Sequence, residues 1–202
     1  MASTGNNGNG TGKLPLMVFG YGSLMWNPGF DHEAAHTGRL RGYHRAYMMY
    51  STRNRGCCDL PGMVLSLAPG GECVGRAYTI TPGREAEALE YLDKREGVGR
   101  AHRRVTVPIQ FVEEPGQPWR PVLTYLPILT YSNYIPQVPM ARQAELVAKG
   151  AGSVGTSYDY LRQLMEELDR MRLPEPTLQR LFEEATAKRK IIYNGNPPPP
   201  GM

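Results

Sequence analysis

The sequence predicts an α+β fold built as one domain. Three observations carry this. Strand-like runs crowd the first half of the 202 residues, helical periodicity fills the second half, and the two never alternate as the β-α-β units of a doubly wound sheet. Residues 14–192 show no internal repeat and no linker, and the length suits one substantial core.

The elements follow in order. Leu16–Phe19 is an apolar strand that stops at Gly20. Arg39–Ser51 is a second strand, with Gly42 as a bulge or break. Gly62–Leu67 precedes the turn Pro69-Gly70-Gly71, and Cys73–Thr79 returns, so the pair reads as a hairpin. Thr81 as N-cap and Pro82 at the first helical position start a helix that runs to Glu96 and stops at Gly97. Val105–Val112 and Pro121–Tyr131 are further strands. Met140–Lys149 is a short helix closed by Gly150. After Ser157, Leu161, Leu164, Met165, Leu168 and Met171 recur at helical spacing until Pro174. A last helix, Leu178–Arg189, presents Leu178, Leu181, Phe182 and Ala185 for burial.

Composition narrows the function classes. A hydrophobic content of 41% and a charged content of 21% are ordinary for a soluble globular chain. No apolar run is long enough to span a bilayer, so no membrane partner is expected. Residues 1–13 are polar and lack the apolar segment of a signal peptide; with residues 193–202 they read as disordered tails. Cys57, Cys58 and Cys73 are odd in number and two are adjacent, which does not suggest a disulfide framework. A reducing, cytoplasmic location is the expectation, with Cys73 in the core. The net charge of +4 comes without a helix-turn-helix, zinc-finger or RNP pattern, so no nucleic-acid partner is expected.

The segment Leu16–Gly38 contains two candidate sites. His32-Glu33-Ala34-Ala35-His36 reads as H-E-x-x-H, the pattern of zinc hydrolases, in which two histidines one helical turn apart hold the metal and the glutamate acts as base. Its context argues otherwise. Pro28-Gly29 and Thr37-Gly38 leave barely two turns of helix, and no pattern supplies a third ligand from His44 or His102. The expectation is a solvated helical turn and no metal site. Cys57 or Cys58 with His44 or His102 as base would be a nucleophilic pair, but neither cysteine sits at an elbow or helix start.

The other candidate is Gly20-Tyr21-Gly22-Ser23, where a strand breaks into a glycine loop. It is neither a dinucleotide fingerprint nor a P-loop. It is either an ordinary tight turn or a nest of backbone N–H groups suited to a carboxylate or an oxyanion. Further on, Glu85, Leu89, Leu92 and Glu96 fall at steps of four, three and four. That spacing sets Glu96 on the core-facing side at a helix C-terminus, where burial and the helix dipole raise a carboxyl pKa. Glu96 is then either a proton shuttle or an edge residue paired with Arg100 or Arg103.

These residues carry a resemblance. Val18-Phe19-Gly20-Tyr21-Gly22-Ser23-Leu24-Met25-Trp26-Asn27-Pro28 resembles the opening strand and loop of the ChaC-like gamma-glutamylcyclotransferases. Gly38–Arg45, Pro61–Leu67, Pro69-Gly70-Gly71, Gly75–Tyr78, Tyr91–Glu96 and Gly150–Leu161 continue the similarity, which spans roughly residues 16–170. The late loop departs from the pattern. It reads Gly152-Ser153-Val154-Gly155-Thr156-Ser157, where the family tends to have Pro, Ser and Asn at 153, 154 and 157. HEAAH falls between the matching segments.

The resemblance implies a small mixed β-barrel-like sheet with flanking helices. It implies conversion of a gamma-glutamyl compound, glutathione in ChaC-like members, to 5-oxoproline and a free amine, with no metal, cofactor or enzyme nucleophile. Glu96 is the implied general acid/base, and Val18, Phe19, Gly20, Tyr21, Gly22 and Ser23 the implied substrate cradle. A binding module of the same fold that holds a gamma-glutamyl ligand without turnover is the remaining alternative.

Overall fold

The computed structural model describes residues 14–193. The expected tails lie outside the described residues, apart from Tyr193, which closes the last helix. The elements are β1 (Met17–Gly20), β2 (His32–Ser51), β3 (Gly62–Ile80), α1 (Glu85–Glu96), β4 (His102–Phe111), β5 (Arg120–Pro127), α2 (Met140–Lys149), the short strands β6 (Ala151–Gly152) and β7 (Gly155–Thr156), α3 (Ser157–Arg170) and α4 (Pro176–Ile192). Strands β1-β3-β2-β4-β5 form a closed barrel, sealed by a parallel pairing of β1 with β5 at Val18 and Leu123. This is the expected mixed sheet with flanking helices.

The frame is one long ribbon. β2 and β3 pair antiparallel from Ser51↔Gly62 to His32↔Ile80. The chain reverses in residues 52–61, so Pro69-Gly70-Gly71 is not the hairpin turn expected there. Both halves of β3 pair with β2, and Gly42 opposite Gly70 and Gly71 lets the two strands bend together through the left-handed region (φ 84°, 92° and 74°). The bend sends half of the ribbon into the barrel and half over the helices.

HEAAH is strand, not helix. Its five residues begin β2, and all but Glu33, which sits at a bulge, pair with β3, which supplies backbone partners that an isolated two-turn helix lacks. An extended strand carries residues i and i+4 about 13 Å apart, so His32 and His36 do not converge on one metal ion. His32 packs on Phe30 and Tyr78, and His36 stacks on Phe111 with ring centroids 4.3 Å apart.

α1 begins at Glu85 rather than Pro82. Arg84 N–H donates to the Thr81 carbonyl across a turn in which Gly83 has φ 82°, and no side chain caps the helix. Its C-terminus is as expected: Gly97 adopts the left-handed conformation, φ 62°. α3 is capped by Thr156, whose hydroxyl accepts from the Asp159 N–H.

The three larger apolar clusters position the site. Phe19, Leu40, Leu67, Ala77 and Ile109 fill the barrel. Val18, Leu24, Ile80, Ala88, Leu92 and Tyr125 join α1 to the barrel wall. Met63, Leu65, Val147, Leu161, Leu164 and Leu181 seat α2, α3 and α4 on the other arm of the ribbon. Leu164 is fully buried, while Leu129 is 65% exposed. Leu164→Ala is therefore expected to lower the unfolding free energy by ~2–5 kcal/mol, and Leu129→Ala to change it by less than ~0.5 kcal/mol; urea denaturation measures both.

Candidate active site

β1 delivers the glycine loop to the mouth of a cavity of about 860 Å³, a size suited to small-molecule sites. At Gly20 a Cβ would lie 2.6 Å from that of Leu24, so the turn closes only over glycine. The chain then enters a single 3₁₀ turn, Ser23–Met25, closed by Met25 N–H to the Gly22 carbonyl at 2.8 Å. Beneath the loop, the buried Arg45 donates from Nε to the Tyr21 carbonyl at 2.7 Å. A trans peptide points its C=O and N–H in opposite directions. Fixing the Tyr21 carbonyl towards Arg45 therefore turns the Gly22 N–H the other way. Gly22 lines the cavity, and a Cβ on it would lie 2.8 Å from the Tyr160 hydroxyl. Its φ is −128°, so the glycine serves close approach and not left-handed geometry.

Tyr21, Gly22 and Ser23 line the cavity. Val18 and Phe19 are wholly buried in the barrel wall, and Gly20 is buried above them; these three are not among the lining residues. The Phe19 carbonyl is taken by the Thr124 hydroxyl at 3.0 Å.

Glu96 is the last residue of α1 and also lines the cavity. The buried stripe of α1 runs through Ala88 and Leu92, with Leu89 only half-buried. Glu96 continues that stripe one turn beyond Leu92, with its side chain 19% exposed. Burial raises its carboxyl pKa above the ordinary value, and nearby His102 and Arg95 oppose the rise. Arg95 Nε stands 3.6 Å from Glu96 Oε1. The same guanidinium donates to Ser23 Oγ at 3.0 Å and to the carbonyls of Asn27 and Pro28. Arg95 thus ties the glycine loop to the carboxyl. The pairing of Glu96 with Arg100 or Arg103 that spacing left open is replaced by its neighbour in sequence.

The sequence assigns the rest of the wall no place beside Glu96. Tyr160 comes from α3, Tyr125 from β5, His102 from the start of β4, and Arg53 and Arg55 from the loop joining β2 to β3. The guanidinium of Arg55 lies 5.6 Å from the centre of the Tyr160 ring, a cation–π contact. Arg53, Arg55, Lys94 and Arg100 form no ion pair among the described residues, and Glu96 is the one carboxylate among the lining residues. Tyr160, Tyr125, His102 and the pair Arg53 and Arg55 come from four distant segments, and nothing local to any of them points to this cavity.

The late loop makes polar contacts of its own. Ser157, where the family tends to have Asn, is buried; its hydroxyl donates to the Met63 carbonyl and accepts from the Met63 N–H. Ser153 and Val154 N–H groups bond to the carbonyls of Arg53 and Asn54, bracing the loop that carries Arg55. Cys57 and Cys58 are exposed and Cys73 is buried.

Barrel and site together define a protein of the gamma-glutamylcyclotransferase fold, with a single carboxyl lining the same cavity as a glycine loop. The chain belongs to the ChaC-like protein family, whose model matches residues 16–188. It is 30% identical over 191 residues to the glutathione-specific gamma-glutamylcyclotransferase of Escherichia coli, covering 89% of this chain and 76% of that one. It is 32% identical over 166 residues to human glutathione-specific gamma-glutamylcyclotransferase 1, covering 81% and 73%. In fold it matches the crystal structure of a yeast gamma-glutamyl cyclotransferase specific to glutathione, with a TM-score of 0.77 and 22% identity over 86% of this chain and 96% of that one.

The raised carboxyl has a consequence for stability. A carboxyl whose pKa is higher folded than unfolded imposes no penalty below its unfolded pKa, and destabilises the fold as pH rises through the folded value. Glu96→Gln is therefore expected to be more stable than the wild type at pH 7, with the difference vanishing below about pH 4. Thermal melts across pH measure this, and a variant less stable at pH 7 contradicts it.

Proposed function

We propose that this protein is a gamma-glutamylcyclotransferase that converts glutathione to 5-oxoproline and Cys-Gly. The observation that carries the reading is the lone carboxyl of raised pKa facing the glycine loop across a cavity otherwise rich in cations. The α-amine of the gamma-glutamyl group attacks its own γ-amide carbon. A C–N bond forms to close the lactam, and the C–N bond to cysteine breaks. Holding the arm in attack geometry supplies on the order of 7 kcal/mol or more. Glu96 takes a proton from the α-ammonium to free its lone pair, then returns one to the departing nitrogen. The Gly22 N–H stabilises the substrate's glutamyl end or the oxyanion, a contribution of ~3 kcal/mol where such a donor is well aimed. Arg53, Arg55 and Arg100 suit the carboxylates of a tripeptide. The reducing cytoplasm, without nucleic-acid or membrane partners, is the proposed setting; free thiols at Cys57, Cys58 and Cys73 agree with it, and no described helix is long and apolar enough to cross a membrane.

Incubation with glutathione is expected to release 5-oxoproline, with far less from gamma-glutamyl-alanine, whose amine side is smaller. Absence of 5-oxoproline from both overturns the reading and favours a ligand-binding module. Glu96→Gln is expected to fold and to lose ~10²–10⁴-fold in kcat, because an amide keeps the shape and carries no proton. Gly22→Ala sets a Cβ 2.8 Å from the Tyr160 hydroxyl, and is expected to weaken 5-oxoproline binding by calorimetry; unaltered affinity removes the loop from the cradle.

A further inference from the structure

The lactam closure moves two protons. The α-ammonium begins with three hydrogens and the lactam nitrogen keeps one, while the amide nitrogen begins with one and leaves as an ammonium with three. Glu96 holds one proton at a time. His102, which lines the same cavity, is placed to hold the other.

The loop from Gly97 to Ala101 folds back through two left-handed glycines, Gly97 (φ 62°) and Gly99 (φ 82°), and returns His102 to the end of α1. His102 Nδ1 lies 2.8 Å from the Glu96 backbone carbonyl. A carbonyl only accepts, so Nδ1 carries the hydrogen, and in the neutral ring Nε2 is a bare lone pair. That Nε2 is buried with no hydrogen-bond partner among the described residues. A buried acceptor left unpaired is costly, and this one belongs to an imidazole oriented by a second group, the arrangement of a general base.

We propose that His102 is a second proton-carrying catalytic residue of the cyclisation, a reading that rests on the gamma-glutamyl activity proposed above. Glu96 takes the first proton from the α-ammonium, and the free amine attacks the γ-carbon. The Glu96 carboxyl returns its proton to the departing nitrogen as the C–N bond to cysteine breaks. Before that bond breaks, the ring nitrogen of the tetrahedral adduct, which carries one hydrogen too many, loses it to His102 Nε2, since the adduct would otherwise expel the protonated ring amine. The imidazolium then protonates the departed amine, and both residues end as they began.

Other groups around the cavity do not replace it. Lys94, Arg95 and Arg100 are cations with no proton-accepting role. Burial pushes the Tyr160 phenol up to about 12, and holds those of Tyr21 and Tyr125 high as well.

The test uses His102→Asn, whose amide nitrogen keeps the donor to the Glu96 carbonyl and loses Nε2. The wild type is first assayed on glutathione, and a wild type that forms no 5-oxoproline overturns the underlying activity. Given activity, His102→Asn is expected to lose ~10²-fold in kcat with 5-oxoproline affinity within twofold. The acid limb of log kcat/KM against pH is expected to fall from a slope of two to a slope of one. Wild-type kcat and an unchanged slope, beside an inactive Glu96→Gln, overturn the proposal and leave Glu96 acting alone. Should His102→Asn not fold by circular dichroism, ¹⁵N NMR of histidine-labelled wild type decides. The His102 Nε2 resonance is expected to shift on saturation with 5-oxoproline; an unmoved resonance overturns the role.

Discussion

The buried guanidinium of Arg45 is the interaction on which the site depends. Its side chain has no solvent exposure and spends its donors in four directions: the Tyr21 carbonyl, the Val74 carbonyl, the Met25 sulfur and the Glu175 carboxylate. Those partners belong to the glycine loop, to β3, to the 3₁₀ turn and to the cap of α4. One charge therefore joins the barrel, the loop and the last helix. A charge this deep requires full hydrogen bonding to be tolerated, and satisfying it sets the Tyr21–Gly22 peptide. The orientation of the Gly22 N–H is thus a consequence of burying an arginine in the ribbon below it.

A second constraint works from above. Arg95 reaches from α1 to Ser23, Asn27 and Pro28, and stands beside Glu96. The glycine loop is held between two guanidinium groups, one buried and one at the cavity edge. This matters because backbone amides are useful donors only when their direction is fixed before the ligand arrives. The same pair shapes the electrostatics. Burial makes Glu96 a better proton carrier, while Arg95 limits how far its pKa rises. The carboxyl faces a wall whose other charges are cationic, which favours an anionic ligand and leaves a single group to act as base beside His102.

Much of this was legible in the chain. Strand and helix types followed from periodicity, because α2, α3 and α4 bury one face each and β1 is buried on both. The stop of α1 at Gly97 was legible because only glycine adopts that cap easily. Glu96 could be singled out because it sits one turn beyond Leu92. Two local patterns misled. Pro69-Gly70-Gly71 has turn chemistry, yet the bulge at Gly42 on the facing strand converts a reversal into a shared bend. HEAAH has helix-friendly alanines, yet pairing along β3 outweighs a propensity worth fractions of a kcal/mol per residue.

The sequence by itself determined the α+β class, the helix faces, the glycine loop and the candidate carboxyl, since each is written in spacings of a few residues. Only the tertiary structure decided what surrounds that carboxyl. Arg55, His102, Tyr125 and Tyr160 lie far apart along the chain, and closure of the barrel with the bend of its ribbon brings them to one cavity. Their roles depend on burial, on which carbonyl each donor meets, and on what charge stands opposite. Those are properties of three-dimensional neighbours, and no spacing along the chain records them.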